Sequence, residues 1–263
     1  MKFGIFILVL SSFYTAIAGM TVSSSVHRPK VTQYKVCKGK PTVIAVIDSG
    51  FGAGFENETV RLCKFGHRDF SQYGVSDSRF GTTDPVPTDN HGHGTNVAGV
   101  IDKYASRSNV NYCIVIIKYF DPFRFSVDQN EHEKATIKAI MYATDIHADY
   151  INYSSGGAET NGFEINAVKR FIDQGGKFIA AAGNEHSDLA KNPYYPAMDD
   201  DRVIVVGNKY KNGKVAQSSN YGDRVDRWEV GDETVFGREM MGTSQAAAVA
   251  TGKLVSESKN ICK

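Results

Sequence analysis

A doubly wound α/β fold, with a mostly parallel twisted sheet and helices on both faces, is the architecture this sequence predicts. Two observations predict it. Five short β-branched runs are nearly continuous in apolar residues: TVIAVID (42–48), YCIVIIKYF (112–120), DYINYS (149–154), KFIAAAG (177–183) and RVIVVGN (202–208). Unbroken apolar runs of this length suit strands buried on both faces, the condition of a parallel sheet. Helix-like segments lie between them, and strand–helix alternation builds doubly wound sheets.

The elements follow in chain order. MKFGIFILVLSSFYTAIAGM has an early Lys2, an apolar run from Phe3 to Leu10 and a small-x-small pattern at Ala16-Ile17-Ala18. That pattern predicts a secretory signal peptide, residues 1–18, cut after Ala18. The apolar run is short of the roughly 20 residues that span a bilayer. Gly19, not a cysteine, stands immediately after the cut, so no lipid anchor and no membrane partner are expected after cleavage. Residues 19–40 form a lead-in, and 41–263 read as one domain without repeats or linkers. After TVIAVID, the small residues of HGHGTNVAGVI (91–101) open a tightly packed helix. NEHEKATIKAIMYATD (130–145) places Ile137, Ile140 and Met141 at helical spacing. GFEINAVKRFIDQGG (162–176) does the same with Ile165, Val168 and Ile172, and ends in glycine as helices often do. MMGTSQAAAVATGKLV (240–255) is rich in small residues, which suggests a helix pressed against another element.

Bulk composition narrows the function classes. Apolar residues make up 41% and charged residues 22%, ordinary for a globular chain. A net charge of +1 gives no reason to expect a nucleic-acid or membrane-surface partner. Cys37, Cys63, Cys113 and Cys262 remain after signal cleavage. An even count in a secreted chain favours disulfides, with three possible pairings, and the spacings are too wide for CxxC motifs.

In open α/β sheets, ligand-binding groups gather at the carboxyl ends of the strands. Asp48, Ser154, Ser155, Gly156, Gly183 and Asn184 stand there. Taken singly, Asp48 and Asn184 read as turn residues and Ser244 as a helix cap. His91 and His93, with Asp89, could bind zinc, but zinc needs a third protein ligand, and nothing in the spacing of His67 or His132 supplies one. A helix N-terminus would disfavour protonation of His93 and keep it available as a base. Together, an aspartate, a histidine and a serine at strand ends and helix starts supply the three types that acyl transfer needs. Serine attacks, histidine takes its proton, and aspartate fixes the imidazole. An amide side chain can meet the oxyanion.

VIDSG (46–50), HGTNVAG (93–99), INYSSGG (151–157), AAAGNE (180–185) and GTSQAAAVATG (242–252) resemble, in order, the motifs of the subtilisin-like serine proteases. The resemblance implies a subtilisin-like fold and a secreted serine endopeptidase acting on proteins or peptides as a monomer. It implies Asp48, His93 and Ser244 as the triad, with Asn184 and the Ser244 N–H as oxyanion donors. Ser154-Ser155-Gly156 would pair with the substrate backbone. Ala181-Ala182-Gly183 would line the other wall of the primary specificity pocket. His91 becomes a rim residue. The rival reading is a catalytically idle binding module on the same scaffold.

Four departures qualify the likeness. Asn96 stands where members often have a second histidine, and Ala248 where a proline is common. Residues 19–47 leave no room for a conventional prodomain, so an enzyme without one is expected. Tyr194, before Tyr195-Pro196, falls at a pocket-floor position where members often have glycine, which implies a shortened pocket for small or medium side chains. The chemistry requires no cofactor. Calcium often stabilises the family, but Asp199-Asp200-Asp201 has no recognisable ligand spacing. Sheet neighbours in the family suggest Cys63–Cys113 as a disulfide, leaving Cys37 with Cys262.

Overall fold

A computed structural model describes residues 39–55, 57–71, 85–123 and 129–258. The expected signal peptide and most of the lead-in lie outside the described residues, as do Cys37 and Cys262. Seven parallel strands form the sheet, in the order β2-β3-β1-β4-β5-β6-β7. They are β1 (Thr42–Asp48), β2 (Arg68–Asp69), β3 (Tyr112–Lys118), β4 (Tyr150–Tyr153), β5 (Lys177–Ala181), β6 (Ile204–Lys209) and β7 (Arg227–Val230). A separate antiparallel hairpin joins β8 (Asp232–Val235) to β9 (Arg238–Met241).

Alternation along each strand sorts the core into two layers. Ile44, Val46, Ile114 and Ile116 face the layer of α1 (His93–Ala105) and α4 (Thr243–Ser256). Ala45, Ile47, Val115 and Ile117 face that of α2 (Gln129–Asp145) and α3 (Gly162–Asp173). Helices therefore cover both faces, as the apolar runs predicted. Asn161 caps α3, its side chain accepting from Phe163 and Glu164 N–H.

Several expectations need correction. Met141 is exposed, because the buried face of α2 centres on Ala139, Ile140 and Ala143. Strand β3 stops at Lys118 and β6 starts at Ile204, short of the apolar runs that suggested them. The Cys63–Cys113 disulfide is present, with Cα atoms 4.8 Å apart. Cys63 lies beside the start of β3, where its N–H donates to Ile114 C=O at 2.9 Å.

Helix α4 runs through the middle of the protein. Ala246, Ala247, Ala248 and Ala250 are fully buried. Their small side chains let α1 and α4 approach closely: a Cβ on Gly252 would lie 2.6 Å from Tyr104 Cβ. The sheet order reverses between β1 and β4. Asp48 ends β1 and Ser154 follows β4, so both stand at this switch point, where open α/β sheets generally bind ligands.

Candidate active site

Asp48 is the last residue of β1 and is buried. His93 is the first residue of α1. Gly94 brings the two together, since a Cβ there would lie 2.5 Å from Gly50 C=O and 3.1 Å from Asp48 Cβ. His93 Nδ1 sits 2.8 Å from Asp48 Oδ1 and 3.0 Å from Oδ2. The carboxylate can only accept, so Nδ1 carries the proton and Nε2 keeps its lone pair.

The helix terminus does not leave the His93 pKa lowered, contrary to the sequence expectation. Burial does pull the imidazole down. The Asp48 carboxylate, by charge and by hydrogen bond, and the charge of Asp89 outweigh it, and the pKa stands above its ordinary value. His91 is lowered by burial and by repulsion from His93.

Asp89 holds the start of α1. Its Oδ1 accepts from Ser49 Oγ, His91 N–H and Gly92 N–H, and its Oδ2 from Thr95 N–H and Oγ1. Ser49 links the two carboxylates: its N–H donates to Asp48 Oδ1 and its Oγ accepts from Gly94 N–H. From β3, the buried Lys118 ammonium donates to Thr88 C=O and Asp121, both at 2.8 Å, which braces the same loop. From the sequence, Asp89 suggests only a helper to a metal pair. Lys118, a lysine closing the run CIVIIK, is a sign in the sequence of a charge buried here.

Ser244 is the second residue of α4, and Gly242 is the N-cap with no side-chain capping bond. Ser244 therefore does not cap the helix. Its hydroxyl donates to Ser154 C=O at 2.9 Å, and Ser154 Oγ donates back to Ser244 C=O at 2.9 Å. Among the described residues no hydrogen bond joins Ser244 to His93. Asn152 and Thr251 continue the chain: Thr251 Oγ1 donates to Asn152 Oδ1, and Asn152 Nδ2 to Ser154 Oγ.

Asn184 follows β5. Its Oδ1 accepts from Thr243 N–H at 3.0 Å and Thr243 Oγ1 at 3.2 Å. With the oxygen so engaged, the amide N–H₂ points away from Thr243. Asn220 supports the same loop, donating to Ala182 C=O and accepting from Glu185 and Ser187 N–H.

Ala181 ends β5, with Ala182 and Gly183 next, and Ser154, Ser155 and Gly156 follow β4, which pairs with β5 in the sheet. No hydrogen bond among the described residues engages the main chain of Ser155 or Gly156, while Gly157 pairs with Tyr195. The half-buried Tyr194 ring lies across both segments: a Cβ on Gly156 would collide with Cε1, and one on Gly183 would meet Cδ2 at 3.0 Å. Burial and the Glu185 carboxylate push the Tyr194 hydroxyl up.

Among the described residues, neither His67 nor His132 is placed to join His91 and His93 as a metal ligand. His67 uses both ring nitrogens on Cys63 C=O and Ile116 N–H. His132 packs against Phe120 and Tyr119. Among the described residues no group of three or more His, Cys, Asp or Glu is arranged to hold a metal. Asp199 and Asp200 have other partners, Thr160 and Arg202.

Comparison with known proteins places this geometry in context. The sequence model described as the Subtilase family matches residues 39–256. The chain is 26% identical over 212 residues to "Subtilisin-like protease 2" of Plasmodium falciparum, covering 70% of this chain and 15% of that protein. It is 26% identical over 238 residues to "Major intracellular serine protease" of Bacillus subtilis, covering 84% and 69%. It spans only 50% of "Alkaline protease 1" of Aspergillus oryzae. A cold adapted subtilisin-like serine proteinase of known structure superposes with a TM-score of 0.60 at 26% identity, over 83% of this chain and 76% of that one. The epidermin leader peptide processing serine protease of Staphylococcus aureus shares the fold, with a TM-score of 0.65 at 18% identity over 83% and 65%.

Proposed function

This chain belongs to the subtilase family, and from that premise we propose that it is a serine endopeptidase acting through Asp48, His93 and Ser244. The observation that carries the reading is the Asp48–His93 pair, which leaves Nε2 as the acceptor in the crevice that Ser244 also borders. Ser244 Oγ turns from Ser154 C=O to His93 Nε2 when substrate enters, a rotamer change that catalytic groups often await. Oγ attacks the peptide carbonyl while Nε2 takes its proton. The imidazolium lies against Asp48, with Asp89 behind, so the charge formed in this step meets two carboxylates.

The developing oxyanion meets the Asn184 N–H₂ and the Ser244 N–H. The fixed Thr243 contacts hold the amide ready before reaction, so little reorganisation is needed. His93 then returns the proton to the leaving amine. Water repeats the sequence to release the acyl group, and no cofactor takes part. The unengaged main chain at Ser155 and Gly156 supports β-pairing with an extended substrate. Tyr194 shortens the space between the walls, which favours small or medium side chains before the scissile bond. The disulfide is consistent with an oxidising compartment, as the signal-like residues 1–18 suggest.

One observation favours the idle-scaffold reading: the Ser244 hydroxyl is bonded to Ser154 C=O rather than to His93. Treatment with a serine-directed fluorophosphonate, with and without chelator, separates the readings. The hydrolase reading predicts label on Ser244 that survives chelation and is absent from Ser244→Ala. A folded wild-type protein that takes no label is an idle scaffold. Activity that vanishes on chelation and ignores Ser244→Ala would revive a metal site.

A further inference from the structure

The helices α1 and α4 carry the proposed base and nucleophile in their first turns. Their shared layer is apolar and small, with Ala98, Val100, Ile101, Ala246, Ala247 and Ala250 all fully buried. Two amides interrupt it. Asn96 is 0% exposed and Gln245 2%. Gln245 Nε2 donates to Asn96 Oδ1 at 3.1 Å. Asn96 lies one turn below His93, and Gln245 immediately follows Ser244. This single bond thus joins the turn bearing the base to the turn bearing the nucleophile.

Packing does not account for the pair. Asn96 Nδ2 is buried without a partner. An incompletely satisfied polar pair is worse for stability than an apolar pair of the same shape. The α4 side of this layer is mostly alanine, which offers few knobs to fix the slide of one helix along the other. A hydrogen bond has a defined length and direction, and supplies that constraint. We infer that the Gln245–Asn96 amide bridge is a positioning device that sets the register of the nucleophile helix against the base helix. It rests on the reading of Ser244 and His93 as nucleophile and base. Asn96 is one of the departures from the family pattern, and Gln245 is its partner in this chain.

The test uses two double variants of the full chain. Asn96→Leu with Gln245→Met replaces the bridge by apolar groups of similar size. Asn96→Gln with Gln245→Asn exchanges the amides and keeps the summed side-chain length. Tm, kcat, KM and the rate of Ser244 labelling by a fluorophosphonate are compared with wild type. The apolar pair should melt at or above the wild-type Tm. Its kcat and labelling rate should fall about tenfold to a hundredfold, the scale of a sub-ångström to ångström misplacement, with KM little changed. The exchanged pair should regain most of the labelling rate. If the apolar pair fails to fold, Gln245→Met alone carries the comparison. Wild-type labelling by a stable apolar variant overturns the inference, as does an exchanged pair as slow as the apolar one. A wild-type protein that takes no label overturns the hydrolase reading instead, which keeps the two failures apart.

Discussion

On the proposed reading of the substrate cleft, removing the Tyr194 ring should convert a shallow specificity pocket into a deep one. The ring now fills the space between Gly156 and Gly183, touching the Cβ position of both. Tyr194→Gly clears that space while leaving both walls in place. Burying a Leu or Phe side chain is worth about 1.5–3 kcal/mol. At about 1.4 kcal/mol per decade, kcat/KM for peptides with Leu or Phe before the scissile bond should rise about tenfold to a hundredfold relative to Ala. The stability cost should be about 3 kcal/mol or less, the low end for losing an aromatic side chain, because the ring is half-buried and the cavity opens to water. The assay is kcat/KM on a matched series with Ala, Val, Leu and Phe at that position. Efficient cleavage after Phe by the wild type, with the Phe-to-Ala ratio unchanged in Tyr194→Gly, would refute the reasoning.

Two other predictions concern protons. His93→Ala should lower kcat/KM by about three orders of magnitude or more, and His91→Ala by far less. Because the base must be neutral and its pKa is raised, the acid limb of kcat/KM in the wild type should titrate above pH 6.5. Equal losses in the two variants would mean that the base is misassigned. The second prediction is a stability effect. Burial, the neighbouring Asp199 carboxyl and then Glu133 push Glu164 up to about 8. A carboxyl raised above its unfolded value of 4.5 stabilises the folded state below about pH 4.5, and that contribution is lost as pH rises through about 8. Glu164→Gln, whose amide can still donate to Asp199, should therefore flatten the fall of Tm across this window and raise Tm at pH 8. Parallel Tm profiles for variant and wild type would contradict it.

The legible parts of the molecule were those written locally. Asp48, His93, Asn184 and Ser244 stand at strand ends or helix starts within short motifs, and the apolar runs announced five of the seven strands. Long-range partners were not legible. Gln245 and Asn96 are 149 positions apart, and Thr251 and Asn152 are 99 apart. Spacing cannot show which buried amides will face one another. Strand β7, RWEV, alternates charge with apolar surface at the sheet edge, so it lacked the continuous apolar signature. The β8–β9 hairpin was hidden by its turn. Phe236-Gly237 takes positive φ at both positions, where Asn-Gly is the usual signal. Phe236 tolerates it because its ring packs on Phe51 at 6.4 Å and over Gly99. The charges of Asp48 and Asp89 outweigh the helix terminus at His93, because a helix terminus is only a partial charge.

Intact mass analysis of a rapidly quenched reaction with an activated peptide ester tests the central claim most directly. The account predicts a transient acyl adduct on Ser244 that forms in wild type, accumulates far more slowly in His93→Ala, and is absent from Ser244→Ala. Turnover without any adduct, or an adduct on another residue, would contradict it.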